Sequence, residues 1–135
     1  MNFDVNLLKE RLCKTLCGEV QIRKTRQGHL QILTDYSLPG ESDAESYPID
    51  YRIEGKRAPL FLFGIGGRDK AMLVTIILEH WLRAKVEFDS LLIFQDQQEI
   101  PRRDLARLSN VGGEMVASLD ASEDFQRKII KLANN

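Results

Sequence analysis

The segment Gly64-Ile65-Gly66-Gly67-Arg68-Asp69-Lys70 follows an apolar run and opens a helical pattern. At such a junction unpaired backbone N–H groups and the positive end of a helix can hold a phosphate or another anion, and Gly66, Gly67 and Arg68 are the residues that would touch it. The spacing matches neither G-x-G-x-x-G nor G-x-x-x-x-G-K-[ST], and a sharp strand-to-helix turn packed closely on its neighbour calls for the same glycines on backbone grounds alone. Soft metal chemistry has few carriers. Cys13, Cys17, His29 and His80 are the only cysteines and histidines, and their separations fit no zinc spacing. His29 is expected at a hairpin edge, and His80 on the outer side of a helix where Glu79 and Arg83 form an i,i+4 pair. Neither thiol has an activating base or a helix N-terminus beside it in sequence, so no nucleophilic cysteine is expected. No metal and no cofactor is implied.

Asp50 lies in an alternating run, Ile49 to Glu54, that is followed by a turn and a second strand. This layout resembles that of nucleases holding a metal ion between an Asp on one strand and a Glu-x-Lys on the next. Where the second carboxylate and the lysine should stand, the sequence has Phe61-Leu62-Phe63. The set is therefore incomplete unless Lys70 takes over from the helix. The plainer reading makes Asp50 the solvent-facing member of an alternating strand. Asp50 and Lys70 are the catalytic candidates, and a degenerate restriction-nuclease-like core stays open as a fold alternative.

Arg102, Arg103 and Arg107 share one helical stretch and form a basic surface, while Asp35 to Asp50, with Glu41, Asp43 and Glu45, form an acidic one. Opposed patches of this kind steer a partner of complementary charge. Arg23, Lys24 and Arg26 would extend the basic side. Across the whole chain, 19 Lys and Arg against 20 Asp and Glu give a net charge of -1. That leaves no global field for a polyanion, so dedicated nucleic-acid binding is not favoured, although a local basic face can still meet one.

The elements that must position these groups follow from periodicity. Residues 3–17 place Phe3, Val5, Leu7, Leu8, Leu12, Leu16 and Cys17 on a helical period, with Asp4 as N-cap and Gly18 as stop. Val20 and Ile22, a turn at Thr25-Arg26-Gln27-Gly28, then Leu30 and Ile32 predict a β-hairpin. Residues 35–47 have loop chemistry. Strands are predicted at Ile49–Ile53 and at Leu60–Phe63, the latter apolar on both faces and so central. A helix from Asp69 to about Lys85, carrying Leu73, Val74, Ile76, Ile77, Leu78, Trp81 and Leu82, should bury this surface against the sheet. Leu91–Phe94 is a further buried strand, Pro101 begins a helix ending near Gly112, and 114–118 can form a last short strand. Asp120 and Glu123 resemble a capping box before a closing helix with Phe125, Ile129, Ile130 and Leu132. The order is αβββ(β)αβαβα, an α/β (α+β) chain with a mixed central sheet flanked by helices. At 135 residues and 43% hydrophobic composition it reads as one domain, divided into a helix plus hairpin (1–34), an acidic loop (35–47) and an α/β core (48–135). The first residues lack the basic and apolar regions of a secretory signal and no apolar run approaches a membrane span, which points to the cytoplasm and to reduced cysteines.

The stretch from Tyr47 to Leu119 resembles a bacterial and phage family of paired domains of unknown function. The resemblance is carried by Pro48-Ile49-Asp50-Tyr51, Pro59-Leu60-Phe61-Leu62-Phe63-Gly64, Lys70-Ala71, Leu91-Leu92-Ile93-Phe94-Gln95-Asp96 and Ile100-Pro101-Arg102-Arg103-Asp104-Leu105-Ala106-Arg107-Leu108. The opening helix and hairpin look similar to the amino-terminal partner domain, cut back. The resemblance implies no reaction; it implies a role in conflict between mobile elements and their hosts. Three functions are therefore carried forward: a non-enzymatic protein-binding module acting on a host or defence protein, a degenerate or active nuclease-like nucleic-acid-binding protein, and a structural homo-oligomer.

Overall fold

The computed structural model describes residues 3, 4, 6–8, 10, 11, 32–36, 44–53 and 58–133. Among these residues five strands, β1 (Ile32–Tyr36), β2 (Ile49–Ile53), β3 (Leu60–Ile65), β4 (Asp89–Phe94) and β5 (Glu114–Val116), form one sheet in that spatial order. The helices are α1 (Arg68–Arg83), α2 (Arg102–Val111) and α3 (Ser122–Ala133), and residues 6–8, 10 and 11 are helical as well. The β1–β2 and β2–β3 pairs are antiparallel, whereas β3–β4 and β4–β5 are parallel. Each parallel join needs a crossover, which α1 and α2 supply; both pack on the same face, as two crossovers of the same hand advancing in one direction require.

Every residue of β3 is buried, and its period-2 alternation divides the core. Leu60 and Leu62, with Leu91, Ile93, Tyr51 and Ile53, face Phe125, Ile129 and Leu132 of α3 and Leu8 of the amino-terminal helical turn. Phe61, Phe63 and Ile65, with Leu92 and Phe94, face Val74, Ile77, Leu78 and Trp81 of α1 and Leu108 of α2. The fold is thus the expected α/β arrangement, a mixed sheet with helices on both faces, and β3 is its middle strand.

Boundaries differ from expectation for identifiable reasons. Strand β3 runs two residues past Phe63, into the glycine segment, because Gly64 and Ile65 pair in parallel with Ile93 and Phe94. Asp35 and Tyr36, expected in the acidic loop, belong to β1 and are held there by pairing with β2, in which Tyr36 meets Ile49. A 3-10 turn at Ala44–Ser46 further shortens that loop. The carboxylate of Asp4 accepts from the Leu7 N–H at 3.0 Å, the cap read from the sequence. The capping box at Asp120 does not form: α3 starts at Ser122, and Asp120 serves it through its carbonyl, which accepts from the Ser122 N–H at 2.9 Å. The predicted hairpin lies outside the described residues apart from Ile32, which opens β1. Cys13, Cys17 and His29 lie outside them too.

Helix α1 ends at Arg83 rather than Lys85, and the stop has a clear cause. The Val86 N–H donates to the Trp81 carbonyl at 3.1 Å and the Lys85 N–H to the Leu82 carbonyl at 3.1 Å, the paired bonds of a Schellman motif. Its left-handed position is filled by Lys85, at φ 59°. A side chain there costs what glycine avoids, so Lys85→Gly should raise stability by about 1 kcal/mol in chemical denaturation.

Two lysines latch α3 to the edge strand β5. Lys128 donates to the Met115 carbonyl and pairs with Asp124 at 3.0 Å, and Lys131 pairs with Glu114 at 2.9 Å. Hydrogen bonds from these lysines hold both carboxyls below their ordinary range, Asp124 chiefly through Lys128 and Glu114 chiefly through Lys131. Folded pKa values below the unfolded ones mean that this stabilisation is complete at neutral pH and is lost as pH falls through about 4 and below. Amide hydrogen-exchange protection factors at β5 and the start of α3, taken relative to the intrinsic rate at each pH, should therefore fall on acidification, and Lys131→Ala should remove the Glu114 part of that dependence.

Candidate functional site

The β2–β3 ladder reaches Tyr51 opposite Leu62 and goes no further. Beyond it the Asp50 side chain takes over: Oδ2 accepts from the Gly64 N–H at 3.0 Å, and Oδ1 accepts from Lys70 Nζ at 2.8 Å. Helix α1 begins three residues after β3 ends, so the first turn carries Lys70 back over the strand towards β2. The side chains are 22% exposed at Asp50 and 32% at Lys70. Asp50 is accordingly not the simple solvent-facing member of its strand; it ties β2, β3 and α1 together.

Sequence-predicted catalytic residues are thus brought into contact, but each satisfies the other. A metal ion would need a further anionic ligand. The positions on β3 that would offer one are Phe61, Leu62 and Phe63, all fully buried. Among the described residues no three His, Cys, Asp or Glu side chains converge on a common point.

The glycine turn divides in its role. Gly67 caps α1 with extended backbone, its carbonyl accepting from the Ala71 N–H at 3.1 Å, and a Cβ added there would meet nothing within 4 Å. Close packing is required instead at Gly64, where a Cβ would lie 2.6 Å from Cε1 of Phe3. Arg68 turns to α2 and donates from Nε to Asp104 Oδ2 at 2.9 Å. Asp104 is 4% exposed, so this guanidinium neutralises a buried carboxylate and pins α1 to α2. Of the predicted anion-binding set, Arg68 is already engaged.

His80 is not simply on an outer helix face. Its ring stacks on Tyr47 with centroids 3.7 Å apart and meets Trp81 edge-on at 4.6 Å, while Trp81 Nε1 donates to the Tyr47 carbonyl at 3.1 Å. The adjacency of His80 and Trp81 was visible in sequence; the Tyr47 contact was not, because it depends on where β2 enters the sheet.

Arg102, Arg103 and Arg107 are all exposed and make no ion pair among the described residues. Arg107 also borders an open groove of about 260 Å³ between α1 and α2, lined by Met72, Thr75, Ile76, Glu79 and Asp104 as well. Glu45 is exposed within the 3-10 turn, whereas Glu41, Asp43, Arg23, Lys24 and Arg26 lie outside the described residues. The expectation that α1 buries its apolar residues fails for Leu73, Ile76 and Leu82, which are 43%, 52% and 48% exposed. Apolar residues surround α1, and only the arc of Ala71, Val74, Ile77, Leu78 and Trp81 can face the sheet. Comparison of the chain with protein-family models, curated proteins and solved structures returned no match.

Removing the Arg68 side chain strands the buried Asp104 carboxylate. Arg68→Ala should cost about 1 to 3 kcal/mol in urea unfolding. Adding Asp104→Asn, which removes the charge that needed a partner, should return part of that loss in a double-mutant cycle.

Proposed function

We propose that this chain is a non-enzymatic protein-binding module that engages an acidic surface of a partner protein through Arg102, Arg103 and Arg107. One observation carries the reading: three guanidinium groups stand exposed and without ion-pair partners among the described residues on a single helix. Arginine binds carboxylates with a rigid, bidentate fork and is enriched among residues that dominate interface energetics. The pair with catalytic promise supports the same reading, since the Asp50 carboxylate is taken up by Lys70 and by the Gly64 N–H. The resemblance to the bacterial and phage family supports a partner of the host or defence class, and the accessory protein itself would act by occupying that partner's surface.

A second reading rests on Lys70, which reaches Asp50 from the helix, the position from which it would replace the missing strand lysine. Under that reading the chain binds or cleaves nucleic acid with a divalent metal ion, and Asp50→Ala abolishes metal-dependent cleavage, with circular dichroism checking that loss of the bonds to Gly64 and Lys70 has not unfolded the chain.

The first reading is tested by affinity capture from a nuclease-treated bacterial lysate, comparing the wild type with an Arg102→Glu, Arg103→Glu variant. The expected result is a stoichiometric protein partner whose affinity falls at least about tenfold in the variant, a change of about 1.4 kcal/mol. Capture that is equal in the two proteins, or no protein capture by the wild type, rules the reading out.

A further inference from the structure

The outward face of α1 carries an exposed apolar stripe flanked by charges. Opposite its buried arc lie Asp69, Met72, Leu73, Ile76, Glu79 and Arg83, of which Met72, Leu73 and Ile76 are 41%, 43% and 52% exposed. These three large apolar side chains are contiguous on the helix surface, at i, i+1 and i+4. The charges around them are not scattered. Asp69 stands seven residues before Ile76 and Arg83 seven residues after it, and seven residues are close to two full turns, so all three lie on one stripe.

From this arrangement we infer that the chain forms a two-fold symmetric dimer in which α1 packs antiparallel on α1 of the second copy, with Ile76 at the axis. Antiparallel packing about Ile76 sets Asp69 of each copy against Arg83 of the other, giving two ion pairs, one at each end of the apolar stripe. It also lays Leu73 and Met72 against the aliphatic and ring portions of Glu79 and His80. Parallel packing would set like charge on like charge. Two-fold interfaces must be self-complementary, and the sequence Asp-x-x-Met-Leu-x-x-Ile-x-x-Glu-His-x-x-Arg has that property along this stripe. Both charged ends are available: Asp69 is exposed with no ion pair among the described residues, and Arg83, 80% exposed, holds Glu79 only at 3.5 Å.

This inference does not use the arginines of α2, although Arg107 borders the same groove as Met72 and Ile76, and it stands if the arginine reading fails. A 16-residue helix is about 24 Å long, so the helix contact alone falls below a standard stable interface and predicts association in the micromolar range. Sedimentation velocity on the full chain, from about 5 to about 500 μM, should show a concentration-dependent shift from monomer to dimer. Ile76→Asp places two carboxylates on the axis and should weaken the dimer at least about tenfold. Asp69→Arg and Arg83→Asp should each weaken it several-fold, and the double variant, which exchanges the charges, should recover the loss; thermal melts by circular dichroism check that each variant folds. The conservative Ile76→Cys variant should cross-link to itself under mild oxidation, with peptide mapping placing the bridge at position 76 in both chains. A wild type that stays monomeric across the range overturns the inference. So does a dimer that is indifferent to Ile76→Asp, or a double charge exchange no tighter than its parents. Dimer formation should be unchanged in the Arg102→Glu, Arg103→Glu variant, which separates the two surfaces.

Discussion

A strand with no polar side chain on either face must be covered twice. In β3 six consecutive residues are buried, and no single layer of helices can remove both rows of side chains from water. The rest of the architecture answers to that constraint. The antiparallel neighbour β2 and the parallel neighbour β4 protect the ladder on either side, and the helices that complete the parallel crossovers cover one face. Helix α3 and the amino-terminal turn cover the other. Truncating Phe61 or Phe63 would open a cavity between the sheet and the layer formed by α1 and α2.

Much of this was legible before the structure. The apolar run at Leu60–Phe63, the alternation of Ile49, Tyr51 and Ile53, and the long apolar helix with Trp81 are period signals strong enough to be read directly. What escaped the sequence were decisions made by distant partners. Asp35 and Tyr36 look like loop residues, yet the β2 edge recruits them into β1. Gly64 and Ile65 look like a turn, yet they complete the parallel ladder to β4. For Leu73, Ile76 and Leu82, composition marks a residue as apolar without saying which arc of a helix reaches the core.

The candidate site divides in the same way. Asp50 and Lys70 were recognisable as residue types in suggestive places, but twenty positions separate them, and only the quick return of α1 over β3 makes them neighbours. Arg68 was read as an anion ligand because it follows two glycines; its actual partner, Asp104, looks in sequence like an ordinary first-turn acid of α2. Both ion pairs join α1 to its surroundings, one to β2 and one to α2. The helix is thereby held at its first turn from two directions, while its outer stripe remains open to solvent. A rigid helix presenting an ordered row of side chains is a better platform for recognition than a loop of the same composition, since little freedom is lost when a partner arrives.

The two halves of the core differ in how the chain reaches them. The face built on Phe61, Phe63, Leu92 and Phe94 is closed by α1 and α2, which lie between or directly after the strands they cover. The opposite face joins Leu8 to Phe125, Ile129 and Leu132, residues more than a hundred positions apart in sequence. On a ribosome the first face can assemble while the chain is still growing. The second stays bare until α3 has left the exit tunnel, so the side of the sheet that holds both ends of the described chain is the last to be sheltered and the one a chaperone would meet.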